Sequence, residues 1–334
     1  MKKNLLKTIL TIVVSLAFAA LFMWLALRGL DVKKIKNAFL KADYFWVFAS
    51  AFFGVFAYWL RAIRWNLLFE PLGYKISNSN ALWTVSFGYL MNLTIPRSGE
   101  IARATALYGV EKIPADKSFG TIILERIVDF VCMLGFLVLT MLFKHDAILS
   151  FYEKSNIKIN PIILIAAILV LILGIFAFFR FKKYLIKYPF FAKIINFIDG
   201  IFQGITSIFK LKQKGKFIFY TLAIWICYYF AAYLVCFSLP ETSDFSVADG
   251  FYIIVIGTLG MMIPASGGFG AFHFAMRTGI AALFFSMGKN PDEGAEIGLS
   301  YAFISHTLQI IIMLVMGLIS IPMLAKKEPR IKIN

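Results

Sequence analysis

Long charge-free runs alternate with short charged ones along the chain. Thr8–Leu27 is 20 residues without a charge, Tyr44–Leu60 is 17, Pro161–Phe179 is 19 and Phe217–Pro240 is 24. Ile297–Ala325 is 29 residues, with His306 its one side chain that charges near neutral pH. About 20 apolar residues span a bilayer, with 17–25 tolerated, so each run predicts a spanning helix. Phe119–Phe143 predicts a sixth, apolar apart from Glu125, Arg126 and Asp129. Two further stretches are apolar but interrupted. Ala81–Pro96 is short and ends in Pro-Arg-Ser-Gly-Glu, and Gly250–Met276 carries Pro264-Ala265-Ser266-Gly267-Gly268-Phe269-Gly270 in its middle. Met1-Lys2-Lys3 before an apolar run has the look of a secretory signal. The apolar stretch continues through Trp24 to Leu27, beyond the ~7–15 residues of a signal, and predicts an uncleaved membrane helix.

Composition agrees with a membrane protein. Hydrophobic residues are 60% of the 334 and charged residues 16%, against ~25% charged in a soluble domain. Mean hydropathy is +0.80. The formal net charge of +16 points to cytoplasmic loops and anionic lipid, not to nucleic acid. Cys132, Cys227 and Cys236 lie in apolar runs and predict core residues without a disulfide framework.

Charges orient the helices. Arg180–Lys216 holds nine Lys/Arg and one acid, Asp199, so it is expected inside, as is the tail with Lys326, Lys327, Arg330 and Lys332. Ser238–Asp249 has three acids and no base, and Lys289–Glu296 three acids and one base; both are expected outside. Lys2, Lys3 and Lys7 place the N-terminus inside, whereas the five bases of Arg28–Asp43 run against this scheme. Even numbers of crossings are then required between Arg61–Ser79 and Ala115–Lys117, both inside, and between Asp249 and Lys289, both outside. Both interrupted stretches therefore read as re-entrant hairpins, the first entering from the cytoplasm and the second from outside.

The two hairpins resemble each other. Ile95-Pro96-Arg97-Ser98-Gly99 matches Ile263-Pro264-Ala265-Ser266-Gly267 at an offset of 168 residues, half the chain. Similar Gly/Pro breaks in corresponding positions of two halves predict an inverted repeat and point to a transporter binding site; two unrelated helix breaks are the plainer alternative. Pro stops the incoming helix, Gly turns the chain, and Ser98 and Ser266 are expected to N-cap the outgoing helices. A helix N-terminus there suits a phosphate or carboxylate.

Arg97, Glu100 and Arg103 follow the first break at helical spacing for one face. Asp129 lies 13 residues beyond Asp116, roughly 20 Å along a helix. An isolated charge that deep costs at least ~2.5–3.5 kcal/mol on insertion scales, so Glu125, Arg126 and Asp129 are expected to face the bundle and pair. Arg103 or Arg126 with Glu100, Glu125 or Asp129 would make a structural ion-pair cluster; a headgroup site or proton relay is the functional alternative. The second half has Ala265, Gly268 and Ala271 where the first has Arg97, Glu100 and Arg103.

The run from Gly88 to Arg103, including Asn92, resembles the signature of the lysylphosphatidylglycerol synthase transmembrane-domain family, also called the flippase-like domain. Glu125-Arg126-Ile127-Val128-Asp129 looks like its second motif, and Pro264-Ala265-Ser266-Gly267-Gly268-Phe269-Gly270-Ala271 like its third. In multidomain relatives this membrane region is associated with flipping aminoacylated phosphatidylglycerol made by a soluble synthase domain. Nine residues follow Ala325, so the resemblance implies a standalone member, with a separate soluble lipid-modifying enzyme as a partner left open.

Other readings carry less. Ser266 with His306 would make a protease dyad, but Pro-Ala-Ser-Gly is not a nucleophile elbow. A lipid-modifying transferase would use Glu100 or Asp129 as base. His306 and Gln309 are expected to be a buried hydrogen-bonding pair. His145 and His273 look isolated, without a metal constellation, and no P-loop indicates an ATP motor or other cofactor. Phe190–Phe209 has amphipathic spacing and predicts a helix on the cytoplasmic membrane surface that also packs on the bundle while linking the halves.

The expected architecture is all-α and multi-pass, with six full spans, two re-entrant hairpins and both termini cytoplasmic in the cell membrane. It is one membrane domain over 1–334. Its first half, 1–160, has a hairpin near 81–108; a basic linker covers 180–216; its second half, 217–325, has a hairpin near 250–287. Asn92, Pro96, Arg97, Ser98, Gly99, Glu100, Arg103, Glu125, Arg126, Asp129, Pro264, Ser266, Gly267, Gly268 and His306 are the expected site for a membrane phospholipid, with no catalytic or metal-binding residue assigned.

Overall fold

The computed structural model describes residues 41–95, 97–155, 189–263 and 265–325, with a few isolated positions elsewhere. Pro96 and Pro264, the predicted spans Thr8–Leu27 and Pro161–Phe179, and the basic tail lie outside the described residues, isolated positions aside. The described residues are helical throughout, joined by turns. We number the helices α1 (Tyr44–Leu67), α2 (Asn78–Thr94), α3 (Gly99–Glu111), α4 (Ala115–Phe143), α5 (His145–Ser155), α6 (Pro189–Thr206), α7 (Lys214–Cys236), α8 (Val247–Met262), α9 (Ala271–Ser286) and α10 (Pro291–Ala325).

Local chemistry sets the ends. The Asp43 side chain accepts from the Phe45 amide at the start of α1, and Ser77 accepts from Asn80 at the start of α2. Ser246 and Asp249 form a capping box on α8. Lys112 takes a left-handed conformation (φ 56°) to close α3.

Elements recur in order. α1, a short turn (Glu70–Leu72), α2, a break, α3 and α4 are echoed by α7, a short turn (Pro240–Thr242), α8, a break, α9 and α10. Packing recurs as well. α1 lies on α2 as α7 lies on α8, α2 on α3 as α8 on α9, and α3 on α4 as α9 on α10. Across the halves, α2 packs on α10 and, reciprocally, α4 on α8. The equivalent helices α1 and α7 are antiparallel. Trp46 meets Phe237, the Ser50 hydroxyl donates to the Ala231 carbonyl at 2.6 Å, Phe53 stacks on Phe230, and Arg64 reaches Thr221.

The exterior is apolar. Phe45, Phe48, Phe52, Phe56 and Trp59 form an exposed stripe on α1, and Ile311, Val315 and Leu318 another on α10. Arg61, Arg64, Arg103, Glu125 and Asp249 meanwhile lie buried. Uncovered apolar stripes around buried ions fit lipid as the solvent. Tyr44–Leu72, Lys214–Cys236, Ser266–Ser286 and Pro291–Ala325 are long and apolar enough to cross a membrane. The second predicted hairpin, near 250–287, thus includes a segment of spanning length, Ser266–Ser286. α6 packs on α4 where a Cβ at Gly204 would come 2.6 Å from the Gly120 carbonyl carbon. It docks on the bundle through this small face, while Ile194 and Phe197 stay exposed.

Candidate functional site

The centre of the first half is an ion cluster assembled from α1, α3 and α4. Asp129 accepts from Arg61 and Arg64, each at 2.9 Å. Glu125, completely buried, meets Arg103 at 2.7 Å, Arg64 at 3.3 Å and Arg61 at 3.9 Å. Arg126, half exposed, lies 3.6 Å from Glu100 and 4.0 Å from Asp129. The expected pairing of Arg103 and Arg126 with these acids is therefore present. Two further arginines, Arg61 and Arg64, take part. The charge-free run stops at Leu60, yet α1 continues to Leu67 and buries Arg61 and Arg64. Their one sequence signal is a spacing of three, which places them on one helix face opposite the acids of α4.

Neutral groups finish the cluster. Arg61 donates to the Tyr228 hydroxyl at 3.0 Å. The Arg103 guanidinium lies 3.5 Å over the Trp65 ring, and Trp65 donates to Thr121 at 2.9 Å. The buried Arg61, Arg64 and Arg103 face two acids, the buried Glu125 and the partly buried Asp129, so positive charge is in excess. Arg103 Nε and Nη2 are buried without a hydrogen-bond partner among the described residues, and so is Glu100 Oε2. Arg103 and Glu100 line one small cavity between α2, α3 and α4, together with Tyr89, Asn92, Gly99 and Arg126.

The first break is built differently from expectation. Ser98 sits at the N-cap position but makes no side-chain cap bond. Its hydroxyl donates backward to the Ile95 and Met91 carbonyls at 2.7 and 3.0 Å. Asn92 takes the capping role, its Oδ1 accepting from the Gly99 amide at 2.7 Å. Gly99 also lies where a Cβ would come 2.3 Å from the Gly88 carbonyl oxygen, so α2 and α3 cross closely. Arg97 is not on the face with Glu100 and Arg103. It stands before α3 with φ 58°, and its Nη2 donates to the Met262 carbonyl at 2.7 Å, at the end of α8. The first break is thereby tied to the second.

At the second break α9 starts at Ala271 with Gly270 as N-cap, so Ser266 does not cap it. Ser266–Gly268 is a separate short turn in which Gly267 and Gly268 have φ 57° and 79°, and the turn rests on α2. His306, fully buried, lies 2.8 Å from the Gly267 carbonyl through Nε2. Gln309 is exposed, so the expected His306–Gln309 pair is not formed. Nor is His273 isolated: its ring centroid is 5.1 Å from that of His306. Among the described residues no group of three or more His, Cys, Asp and Glu is placed to hold a metal ion.

The lysylphosphatidylglycerol synthase TM region matches residues 12–317, which contain every part of this arrangement. The chain belongs to that family. It is a multi-pass helical membrane protein of a membrane domain linked to lipid handling. It is also similar to the UPF0104 membrane protein MJ1595 of Methanocaldococcus jannaschii, 24% identical over 261 residues, which are 70% of this chain and 75% of that protein. No solved structure matches the chain. Of the three motifs that carry the family resemblance, the first supplies Asn92, Arg97 and Arg103, the second Glu125 and Asp129, and the third the turn against His306. Arg61 and Arg64 join them from outside those motifs.

Proposed function

We propose that this family member moves an anionic or modified phospholipid between leaflets of the cell membrane. One observation carries the reading: buried guanidinium groups outnumber the acids they meet, and Arg103 keeps unpartnered donors on a cavity it shares with Arg126. A phosphate there would complete the charge balance by charge-assisted hydrogen bonds from the guanidinium groups, while the Asn92 amide N–H groups set its orientation. Arg97, tied to Met262, joins the halves and is less available to the headgroup than Arg103.

Six full spans, two re-entrant hairpins and cytoplasmic termini belong to the same proposal. Antiparallel packing of α1 on α7, with the reciprocal contacts of α2 and α4, supports an inverted repeat whose halves meet at the breaks. The 180–216 linker, with its exposed apolar residues on α6 and its lysines, attracts an anionic lipid surface. A separate soluble enzyme would supply a modified lipid.

Leaflet exchange in liposomes holding the purified protein tests the function. Exchange of chemically unchanged anionic lipid, lost in Arg126→Gln at normal folding, is the expected result. A new lipid species would make the protein a transferase, and peptide cleavage a protease. Cysteine labelling tests the topology: Ser79→Cys and Lys117→Cys should react from the cytoplasmic side, Ser243→Cys and Asn290→Cys from outside. Labelling of Ser79 and Lys117 from opposite sides would remove the first hairpin.

A further inference from the structure

The second break holds a pair of histidines that lipid binding leaves unused. His273, in the first turn of α9, and His306, within α10, are 2% and 0% exposed. Phe269, Phe272 and Phe303 pack around them, with ring centroids 4.5–6.4 Å from an imidazole. The Gly267 carbonyl can only accept, so the hydrogen is on His306 Nε2, and Nδ1 of the neutral ring keeps its lone pair. Nδ1 of both rings is buried without a hydrogen-bond partner among the described residues. Buried polar atoms are nearly always satisfied, so two bare nitrogens in one phenylalanine-walled site need a reason.

The charge tied to this break, Arg97, is already bonded to the Met262 carbonyl. α2 has no ionised side chain, α8 has none after Asp249, and α10 none between Glu296 and its end at Ala325. The hydroxyls of Tyr252 and Tyr301 donate to the Gly279 and Ala232 carbonyls, and Tyr89 packs on Tyr58. Arg277, one turn past His273 on α9, has Asp292 as its charged neighbour. On α5, His145 is exposed beside Asp146, and Glu153 is exposed. The titratable group that each imidazole meets is the other imidazole.

We propose that His273 and His306 form a one-proton site that couples a proton gradient to the opening of the second break. The proton adds to an Nδ1 lone pair; two imidazolium ions at this separation repel, so the pair takes one. Phenylalanine walls disfavour the ion. Protonation therefore favours an arrangement in which the Gly267 turn has moved away and water or headgroups reach the pair, which is a population shift driven by differential proton affinity. The turn is suited to such movement. Glycines hold its left-handed positions, His306 fastens it to α10, and Leu93 of the first half packs against Gly267. Coupling to transport rests on the lipid reading above; proton binding does not.

The chain has three histidines, so His145→Gln leaves the pair alone for ¹⁵N-histidine NMR in lipid nanodiscs. The expected result is uptake of one proton per chain on acidification, with both rings shifting together. Two independent protonations, or two rings neutral until the protein unfolds, would overturn the site. In vesicles, a gradient of about one pH unit changes proton activity tenfold, so lipid exchange should change by up to ~10-fold in His145→Gln and not in His306→Gln. Exchange indifferent to the gradient overturns the coupling and leaves lipid movement intact. One-proton uptake without any lipid exchange supports the site and overturns the lipid reading instead.

Discussion

At the first break, α3 carries Glu100 and Arg103 toward an α4 whose Glu125 and Asp129 also receive Arg61 and Arg64. At the second, the corresponding helices α8, α9 and α10 meet through phenylalanines and two imidazoles. The helix order is the same and the interior chemistry is opposite. Arginines and carboxylates fill the site beside the first break, whereas phenylalanines and two imidazoles fill the second. Arg97 donating to the Met262 carbonyl, and Leu93 resting on Gly267, put the two in mechanical contact. On the proposals above, a shared scaffold serves one half as an anion receptor and the other as a movable latch.

The contrast is broken most severely at Glu125. Glu125→Gln leaves three guanidinium groups around one remaining carboxylate, and stability in detergent should fall by about 3–5 kcal/mol, the cost of breaking a buried pair. Adding Arg103→Gln should recover part of that loss in thermal unfolding, because the pair is then removed whole. Additive losses would mean that the two do not interact. Gly99→Val comes next. Its side chain would meet the Gly88 carbonyl and Asn92, and overpacking should cost about 1–3 kcal/mol; an unchanged melting curve would show that the α2–α3 crossing is looser than described.

Smaller effects sharpen the comparison. Asn92→Ala removes the cap on Gly99, with an expected loss of about 1 kcal/mol, whereas Ser98→Ala should fall within half of that if Ser98 is not the cap. His306→Leu orphans the Gly267 carbonyl and should cost about 1 kcal/mol, far less than Glu125→Gln. Equal losses at the two positions would erase the distinction between a charged and a neutral half. Arg97→Gln should leave the melting temperature where it is and slow lipid exchange, since its bond joins the halves at an exposed position. Normal exchange in that variant would remove the tie from the mechanism.

Sequence by itself determined the membrane class, the breaks and the need for pairing. Charge-free runs of spanning length are a local property, and α1, α7 and α10 follow them. Glu125 and Asp129 were legible as partners because an ion deep in hydrocarbon must be neutralised. The tertiary structure decided who the partners are. Arg61 and Arg64 lie beyond the last charge-free residue of their run, where a local reading ends the helix at the membrane surface; carboxylates more than sixty positions away draw them inside. The same holds for Asn92 displacing Ser98 as cap and for His273 finding His306. Hydrogen-bond reach is set by where helices cross, and crossings depend on contacts such as Gly88 with Gly99 that no periodicity records.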